Sequence, residues 1–564
     1  MSWPNNCCLL ILLTICGCCC RWCCCSSGSS GNGSNILMIT MGGTKSHKIP
    51  FWALGRALIK RGHRITFVNG FQADFHVDGL VEVTPKRLVQ YIRNYTDWDL
   101  VGARYAGQQP LSIFDAMRYP IEACNSLLSD PATHRLLRRG VRTTTTPTRT
   151  ATASGTAEEG ETDDGEGEEG SHYQLAIVDG AFPECALGIV HSLNVTAFMY
   201  INTVAFYTGS LSLAGNPVAY AVTPHVFASW TLPMHIVQRV ANCLTHVFAD
   251  LLHWLCMQRV HHMLRHHLGD AVPHPYVLAS EVAFILQNGH FSVTPPSAQL
   301  PNVASVACLH CRPPAANLSQ LDMELSQFMD AAPAGVIYLS MGSSVRSSRL
   351  PAALCQLFVA VFARLPHHHV LWTWAAGNST TESLPRNVRV RDWLPQQDIL
   401  GHRRLQLFIT HGGLLSQHEA VYHGVPLLML PVFCDHDANA AQAVHDGYAR
   451  RLELAQLTEE SLYRAIHDVL HNDSYLRAVR RRRALLHDQL ASPLRQAVYW
   501  TEYVIRHKGA RHLQSPARHM SFVSYYSLDV FGLLSGIILL ALHLLRVFVK
   551  YLAAIWRAKT KKTV

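Results

Sequence analysis

Short apolar runs alternate along the chain with stretches whose apolar residues recur at helical spacing. Ile36–Met41 is one such run, and Gly42-Gly43-Thr44-Lys45-Ser46 interrupts it. Ile49–Lys60 has helical spacing, Gly62 stops it, and Ile65–Val68 is apolar again. Strand, helix and strand within about 30 residues make a βαβ unit, which requires parallel strands. Gln174–Val178 is a further buried strand, ending in Asp179. A Pro-containing linker, Thr294–Pro301, precedes a second series. There Val336–Leu339 is a strand leading into Met341-Gly342-Ser343-Ser344, and Leu354–Leu365 is a helix with Pro351 near its start. Val370–Trp374, Val388–Val390 and Leu407–Thr410 are strands, His418–Tyr422 begins a helix that Gly424 ends, and Pro426–Leu430 is again a strand. The pattern predicts an α/β protein of two halves facing a crevice, each able to bind a ligand at the carboxyl ends of its strands.

Three segments break this rhythm. Residues 7–20 are apolar and run into the small residues Cys25–Gly33, so residues 1–28 read as a signal peptide. Met1–Asn6 lacks Lys and Arg, which leaves a lipid-facing or palmitoylated anchor as the alternative. Residues 141–171 are Thr-rich, then acidic and Gly-rich, and predict a disordered surface insertion. Val530–Val549 is apolar apart from Ser535, His543 and Arg546; its 20 residues match a bilayer core about 30 Å thick. Asp529 precedes this transmembrane helix, and Lys550, Arg557, Lys559, Lys561 and Lys562 follow it. The positive-inside rule then makes residues 550–564 a cytosolic tail and the bulk of the chain lumenal, a single-pass type I arrangement. The ending Lys561-Lys562-Thr563-Val564 resembles a dilysine retrieval signal of endoplasmic reticulum membrane proteins. Asn-X-Ser/Thr sites at Asn32, Asn94, Asn194, Asn317, Asn378 and Asn472 agree with a lumenal glycoprotein. The expected domains are residues 29–298, containing the insertion, and residues 299–515, a second domain together with return helices.

Composition narrows the class. Of 564 residues, 49% are hydrophobic and 15% charged, which excludes a disordered protein. The net charge of +9 does not signal nucleic acid. Eight acids and no Lys or Arg fall in residues 151–170, and the bases elsewhere are scattered apart from Arg480–Arg483 and the C-terminus. Of 17 cysteines, nine lie in residues 7–25, so no disulfide framework or pairing can be assigned. Cys308-Leu309-His310-Cys311 has no second ligand pair, so no metal is expected.

The stretch from Trp393 to Ala440 carries the chemistry. His411-Gly412-Gly413 follows a strand and precedes a helix, where bare backbone N–H groups and the helix dipole suit a phosphate. Trp393 offers a flat face for a base, Glu419 an acceptor for ribose hydroxyls, and Asp435-His436 polar groups for a sugar. The order and spacing of Trp393–His402, Phe408–Gly413, Glu419-Ala420, Tyr422–Pro426 and Pro431–His436 resemble UDP-glycosyltransferases of the animal glucuronosyltransferase superfamily, most of all invertebrate members. The likeness extends to the first βαβ unit, Asp179, Leu300–Val303, Leu309–Cys311, Ser340–Ser343 and Tyr526–Asp529.

That resemblance implies a GT-B fold of two Rossmann-like domains, the first for acceptor and the second for UDP-sugar. Trp393 would stack on uracil with Gln396 nearby. Ser343 and His411 would contact the diphosphate, with backbone around Gly413 and Ser416. Glu419 would bind the ribose, and Asp435 and His436 the sugar hydroxyls. His47, in the pair Ser46-His47, would be the catalytic base, with Asp179 as its partner. Imidazole can take the acceptor's proton as attack proceeds, and a carboxylate fixes its tautomer. The implied reaction is one inverting displacement that gives a β-glycoside and UDP. UDP-sugar is a co-substrate, and no cofactor or metal is implied. Users of glucuronic acid or glucose usually carry Asp-Gln where this chain has Asp435-His436, and related enzymes with His include users of UDP-galactose. UDP-glucose is the default donor, with UDP-galactose and UDP-glucuronate beside it. The acceptor is expected to be small and lipophilic, in keeping with a membrane-anchored detoxification enzyme, and a homo-oligomer is left open. Phe198, Phe206, Trp230 and Met234 are candidates for the acceptor pocket but read more readily as core. A non-catalytic member that binds nucleotide sugar is the alternative. A nucleotide-dependent oxidoreductase would need GxGxxG after the first strand, which Gly42-Gly43-Thr44-Lys45 does not supply.

Overall fold

The structure is a computed structural model and describes residues 33–96, 98–142, 172–204, 209–314, 323–343, 345, 349–374 and 384–560. The expected signal peptide, almost all of the insertion, Phe206, the Lys561-Lys562 ending, and the sites at Asn32, Asn317 and Asn378 lie outside the described residues. Asn94, Asn194 and Asn472 are exposed.

The first sheet contains β1 (Asn35–Ile39), β2 (Arg64–Val68), β3 (Leu80–Val83), β4 (Leu175–Asp179), β5 (Phe198–Asn202), β6 (Phe284–Gln287) and β7 (Val303–Ser305). Its order is β3-β2-β1-β4-β5-β6-β7, and every pairing is parallel. The second sheet contains β8 (Val336–Ser340), β9 (His369–Thr373), β10 (Val388–Arg391), β11 (Leu405–Thr410), β12 (Leu427–Met429) and β13 (Ala449–Arg451), in the order β10-β9-β8-β11-β12-β13 and again parallel. Strands such as β4, β5 and β8 are buried at every residue, as sheets covered on both faces require. In each sheet the order reverses beside the first strand, between β1 and β4 and between β8 and β11. Ligands bind at the carboxyl ends beside such a reversal.

Helices relevant to the site are α1 (Lys45–Ile59), α2 (Leu100–Tyr105), α3 (Ile113–Leu128), α4 (Glu184–Ser192), α5 (Ile236–Leu268), α6 (Leu414–His423), α7 (His436–His445), α8 (Pro493–Arg506) and α9 (Leu528–Thr560). Among the described residues two disulfides are present, Cys124–Cys185 between α3 and α4, and Cys308–Cys311 within the segment after β7.

Several expectations need correction. Helix α1 starts at Lys45, so Ser46 and His47 sit in its first turn and not in the preceding loop. The boundary drawn at residue 298 falls one strand short, because β7 joins the first sheet beside β6. Helix α8 lies among the return helices of residues 299–515 and packs on the first half: Ala497, Val498 and Val504 enter the core around Phe51 and Leu54, and Trp500 stacks on Phe284 at 4.6 Å. In the other direction, Leu100 and Val101 of α2 bury themselves in the core of the second half. Helix α9 has 33 residues, is exposed along its apolar length, and is long enough to cross a membrane.

Candidate functional site

In the first half, the ends of β1, β4 and β5 meet. His47 Nδ1 lies 3.0 Å from Asp179 Oδ2 and 2.8 Å from Thr203 Oγ1. The Thr203 hydroxyl donates to Asp179 Oδ1 at 3.1 Å, and the Ala181 N–H donates to the same oxygen at 3.1 Å. Asp179 is thus buried with both oxygens engaged. Burial pushes its carboxyl up, but His47 and the Lys48 charge outweigh that, and it ends below the usual range. A carboxylate there draws the Nδ1 proton and leaves Nε2 as the nitrogen able to accept one.

The turn before α1 is fastened from two sides. The buried Lys48 Nζ donates to the Gly42 carbonyl, and the Gly43 N–H donates to the Tyr119 hydroxyl at 3.0 Å. Thr203, Lys48 and Tyr119 carry no local signal in the sequence. Each is an isolated polar residue whose partner is distant in the chain or is plain backbone.

In the second half, His411 follows β11 and is enclosed by glycine. A Cβ on Gly342 would stand 2.3 Å from its Cε1, and one on Gly413 would stand 2.6 Å from its Nε2. Both positions therefore exclude a side chain while His411 keeps this rotamer. Burial pushes the His411 imidazole down to about 4, so the ring is neutral near pH 7. Its plane meets His436 edge-on, with centroids 4.5 Å apart. His436 opens α7 behind Asp435, and its Nδ1 accepts from the Phe433 N–H at 3.4 Å. Burial, then His411 and Arg104, hold it well below its ordinary value, so it is neutral and its Nε2 bears the hydrogen. Asp435 accepts from Asn439 Nδ2 at 2.8 Å; burial raises its carboxyl against that bond.

Glu419 on α6 is buried and braced by three side chains. His310 Nε2 lies 3.0 Å from Oε1, Gln397 Nε2 donates to Oε1 at 3.4 Å, and Gln396 Nε2 donates to Oε2 at 2.6 Å. Gln396 also donates to Ser416 Oγ at 3.1 Å and accepts from the Tyr338 hydroxyl at 3.3 Å. The sequence reading names His310 and Gln397 only as parts of motifs; here they hold the carboxylate. Trp393 is 63% exposed, with Lys45 Nζ from the first half 4.9 Å from its ring centre. Ser343 Oγ donates to Thr44 Oγ1 at 3.4 Å across the cleft.

All eleven sequence-predicted site residues line one cavity of about 720 Å³ between the halves. His47 and Asp179 face it from one side, and Ser343, Trp393, Gln396, His411, Gly413, Ser416, Glu419, Asp435 and His436 from the other. Its apolar wall in the first half comes from Phe71, Tyr95, Met117, Tyr119, Phe182 and Phe227. Phe198, Trp230 and Met234 do not line it; Phe198 and Met234 are buried elsewhere. Among the described residues, no three His, Cys, Asp or Glu side chains group as metal ligands would.

Residues 168–563 match a protein-family model described as UDP-glucoronosyl and UDP-glucosyl transferase. UDP-glycosyltransferase UGT5 of Dactylopius coccus is 33% identical over 392 residues, 68% of this chain and 72% of its own. UDP-glycosyltransferase UGT4 of the same insect is 26% identical over 92% of this chain and 95% of its own. UDP-glucuronosyltransferase 2B14 of Oryctolagus cuniculus is 31% identical over 64% of this chain and 67% of its own. Among solved structures, Os79 from O. sativa in complex with UDP has a TM-score of 0.54 at 14% identity, over 83% of this chain and all of that one; at that identity the likeness is one of fold, GT-B.

Proposed function

The chain belongs to the UDP-glucuronosyl and UDP-glucosyl transferase family, and on that premise we propose that it transfers a hexosyl group from a UDP-sugar to the hydroxyl of a small lipophilic acceptor with inversion, giving a β-glycoside. Transfer from a UDP-sugar is the family's activity; inversion, acceptor class and residue roles are our reading. The observation that carries it is the His47–Asp179 pair, at 3.0 Å, facing the Asp435-His436 end of the same cavity. In this reading the acceptor hydroxyl lies against His47 Nε2. The ring takes its proton as the oxygen attacks the anomeric carbon, and the C–O bond to UDP breaks. Asp179 stabilises the imidazolium that forms. The leaving diphosphate gathers charge beside His411 and the N-terminus of α6, where backbone N–H groups and the helix dipole favour an anion. His411 is neutral there and serves as a hydrogen-bond donor. Glu419, held by Gln396, Gln397 and His310, takes the ribose hydroxyls, and Trp393 takes the uracil face. The apolar first-half wall supports a lipophilic acceptor, α9 supports a membrane enzyme, and the basic residues after it with the Lys561-Lys562 ending support endoplasmic reticulum residence with lumenal catalytic halves.

The test is UDP release from the full-length protein, with UDP-glucose, UDP-galactose and UDP-glucuronate crossed against phenolic, steroid and sphingoid acceptors. His47→Ala should lower turnover by about 10²-fold or more while donor binding persists. A variant with full turnover would remove the proposed base, and an α-linked product would remove the single displacement.

A further inference from the structure

Helix α5 is built inside out over its first five turns. The side chains it turns toward the protein include Asn242 and His246, both buried. Asn242 Nδ2 donates to the carbonyls of Tyr220 at 2.7 Å and Thr223 at 2.9 Å, and its Oδ1 accepts from the His225 N–H at 2.8 Å. His246 Nε2 lies 3.1 Å from the Thr223 carbonyl. The opposite face presents Val237, Val240, Leu244, Val247, Leu251 and Trp254, each about half exposed or more. Their spacing of three and four residues places them in one stripe. Phe248 widens it through an edge contact with the exposed Phe114 of α3, centroids 6.4 Å apart. A soluble helix has the reverse polarity, and an exposed apolar patch of this extent marks a contact surface.

The occupant follows from where the chain leaves for α9. The approach to α9 packs against the segment that α5 holds: a Cβ on Gly215 would stand 2.9 Å from Ser515 Cβ, and five residues on the Tyr220 hydroxyl donates to Asp250 of α5 at 3.5 Å. The segment between carries the exposed Met520, Phe522 and Val523. The approach to α9 therefore reaches α5 through that segment, level with Asp250 in its apolar stretch. Arg239 and Arg259 stand exposed toward the two ends of the stripe, and Asp250 is the only acid in the helix, which suits lipid phosphates. The helix does not read as a second span. Its last third carries Arg259, His262, Arg265 and His266, and its inner face is fixed on α3 and α4.

We propose that this face of α5 lies in the interfacial layer of the membrane that α9 enters, with lipid acyl chains as its occupant. The proposal rests on the reading that α9 crosses a membrane. A helix of this kind beds its apolar side about 5–10 Å into the headgroup and acyl boundary. The consequence is a short route for a lipophilic acceptor. Phe114 stands on the lipid side of α3, and Met117, one turn along the same helix, lines the cavity. Cys256 of α5 donates to the Met117 carbonyl at 3.5 Å, so the two helices join at that point.

Cys243 is exposed on this face and is a native attachment point. The full chain would be reconstituted in phosphatidylcholine–phosphatidylserine vesicles and labelled with a polarity-sensitive thiol probe, Cys243→Ser serving as the blank. The probe emission should shift to the blue and fall about two-fold or more with nitroxide-labelled lipids, as an interfacial position requires. The Leu244→Glu/Val247→Glu variant should lose most of that quenching while still binding UDP. An alkaline carbonate wash reports on α9 separately. A chain that resists the wash with an unquenched Cys243 probe overturns the proposal and leaves the crossing intact. A blue shift that grows with protein concentration but is not quenched by lipid nitroxide also overturns it, since a second copy then covers the face. A chain that washes off yet is quenched at neutral pH supports the docking and removes the crossing.

Discussion

Lys48 sits beside the proposed base, fully buried, with its ammonium on the Gly42 carbonyl and near Asp179. Burial lowers its pKa from 10.5 to about 8 against the pull of Asp179. Below pH 8 the folded and unfolded chains both hold the proton, and the folded one suffers the full desolvation. Between about 8 and 10.5 the unfolded chain holds more protons, so this residue makes stability rise with pH, by about 3 kcal/mol at most. Asp179 has the opposite window. Its depressed pKa contributes stability above its unfolded value near 4, and that contribution is lost as pH falls through the folded value. Lys48→Met should abolish the alkaline rise, and thermal midpoints of variant and parent in detergent, compared from pH 7 to 10, will check it. His436 is the other single residue with a distinct consequence. Its Nδ1 is occupied by the Phe433 N–H, so in the proposed site it would offer the sugar a donor where a glutamine amide would offer donor and acceptor. His436→Gln should move the ratio of UDP-galactose to UDP-glucose turnover toward glucose by about tenfold, in a donor competition assay. Exclusive use of UDP-glucuronate by the parent would defeat the galactose reading. The motif residues were legible in the sequence because one strand end and one helix start supply most of them. Thr203 and His310 were not, because each acts through a carboxylate more than 20 residues away in the chain.

At the scale of elements, the Cys124–Cys185 bridge joins α3, which lines the cavity through Met117, to α4, which begins just beyond Asp179. Its ends are 61 residues apart in the chain, so the bridge removes loop-closure freedom from the unfolded state. Cys124→Ala should lower stability by about 2–4 kcal/mol, read as a drop in the unfolding midpoint relative to the parent under non-reducing conditions. The strands and the helices α1 and α6 were visible as periodicity, with ends displaced by a few residues. Helix α6 runs from Leu414, ahead of the expected His418, because Gly413 serves as its N-cap and the diglycine turn belongs to its entry. The sequence reading did not pick out α5. Over its first five turns a stripe of apolar residues faces outward while Asn242 and His246 face inward, so apolar spacing there does not mark a core.

For the whole molecule, the two halves are fastened as well as apposed. Arg104 of α2 donates through Nε and Nη2 to Glu453 at 2.6 and 3.0 Å, and through Nη2 to Asp437 at 2.9 Å. Arg451 donates to the same two carboxylates. Asp437 lies in the first turn of α7, directly after Asp435 and His436. The clamp thus holds the proposed sugar-contacting turn in fixed relation to His47, and buried Leu100 and Val101 reinforce it. Arg104→Ala should raise the donor KM and lower kcat by about tenfold each. Arg104→Lys should recover only part, because an ammonium cannot bind a carboxylate in two-point fashion. Steady-state kinetics at fixed acceptor will check this, and unchanged constants would reduce the clamp to a structural role.

The sequence by itself determined the class of elements, the nucleotide-sugar motif, the apolar C-terminal helix and the residues of the proposed base pair. Those depend on local periodicity, on turn chemistry, and on residue types that serve one chemical task in fixed order. Only the tertiary structure decided which distant groups support them. Lys48 and Tyr119 brace the first turn, His310 braces Glu419, and Arg104 reaches across 333 and 349 residues to Asp437 and Glu453. It also decided that β7 completes the first sheet from beyond the expected boundary, and which core of the first half α8 enters. The reason is physical. Periodicity reports that a face will be buried, whereas its partner depends on how two sheets turn their strand ends toward one cleft.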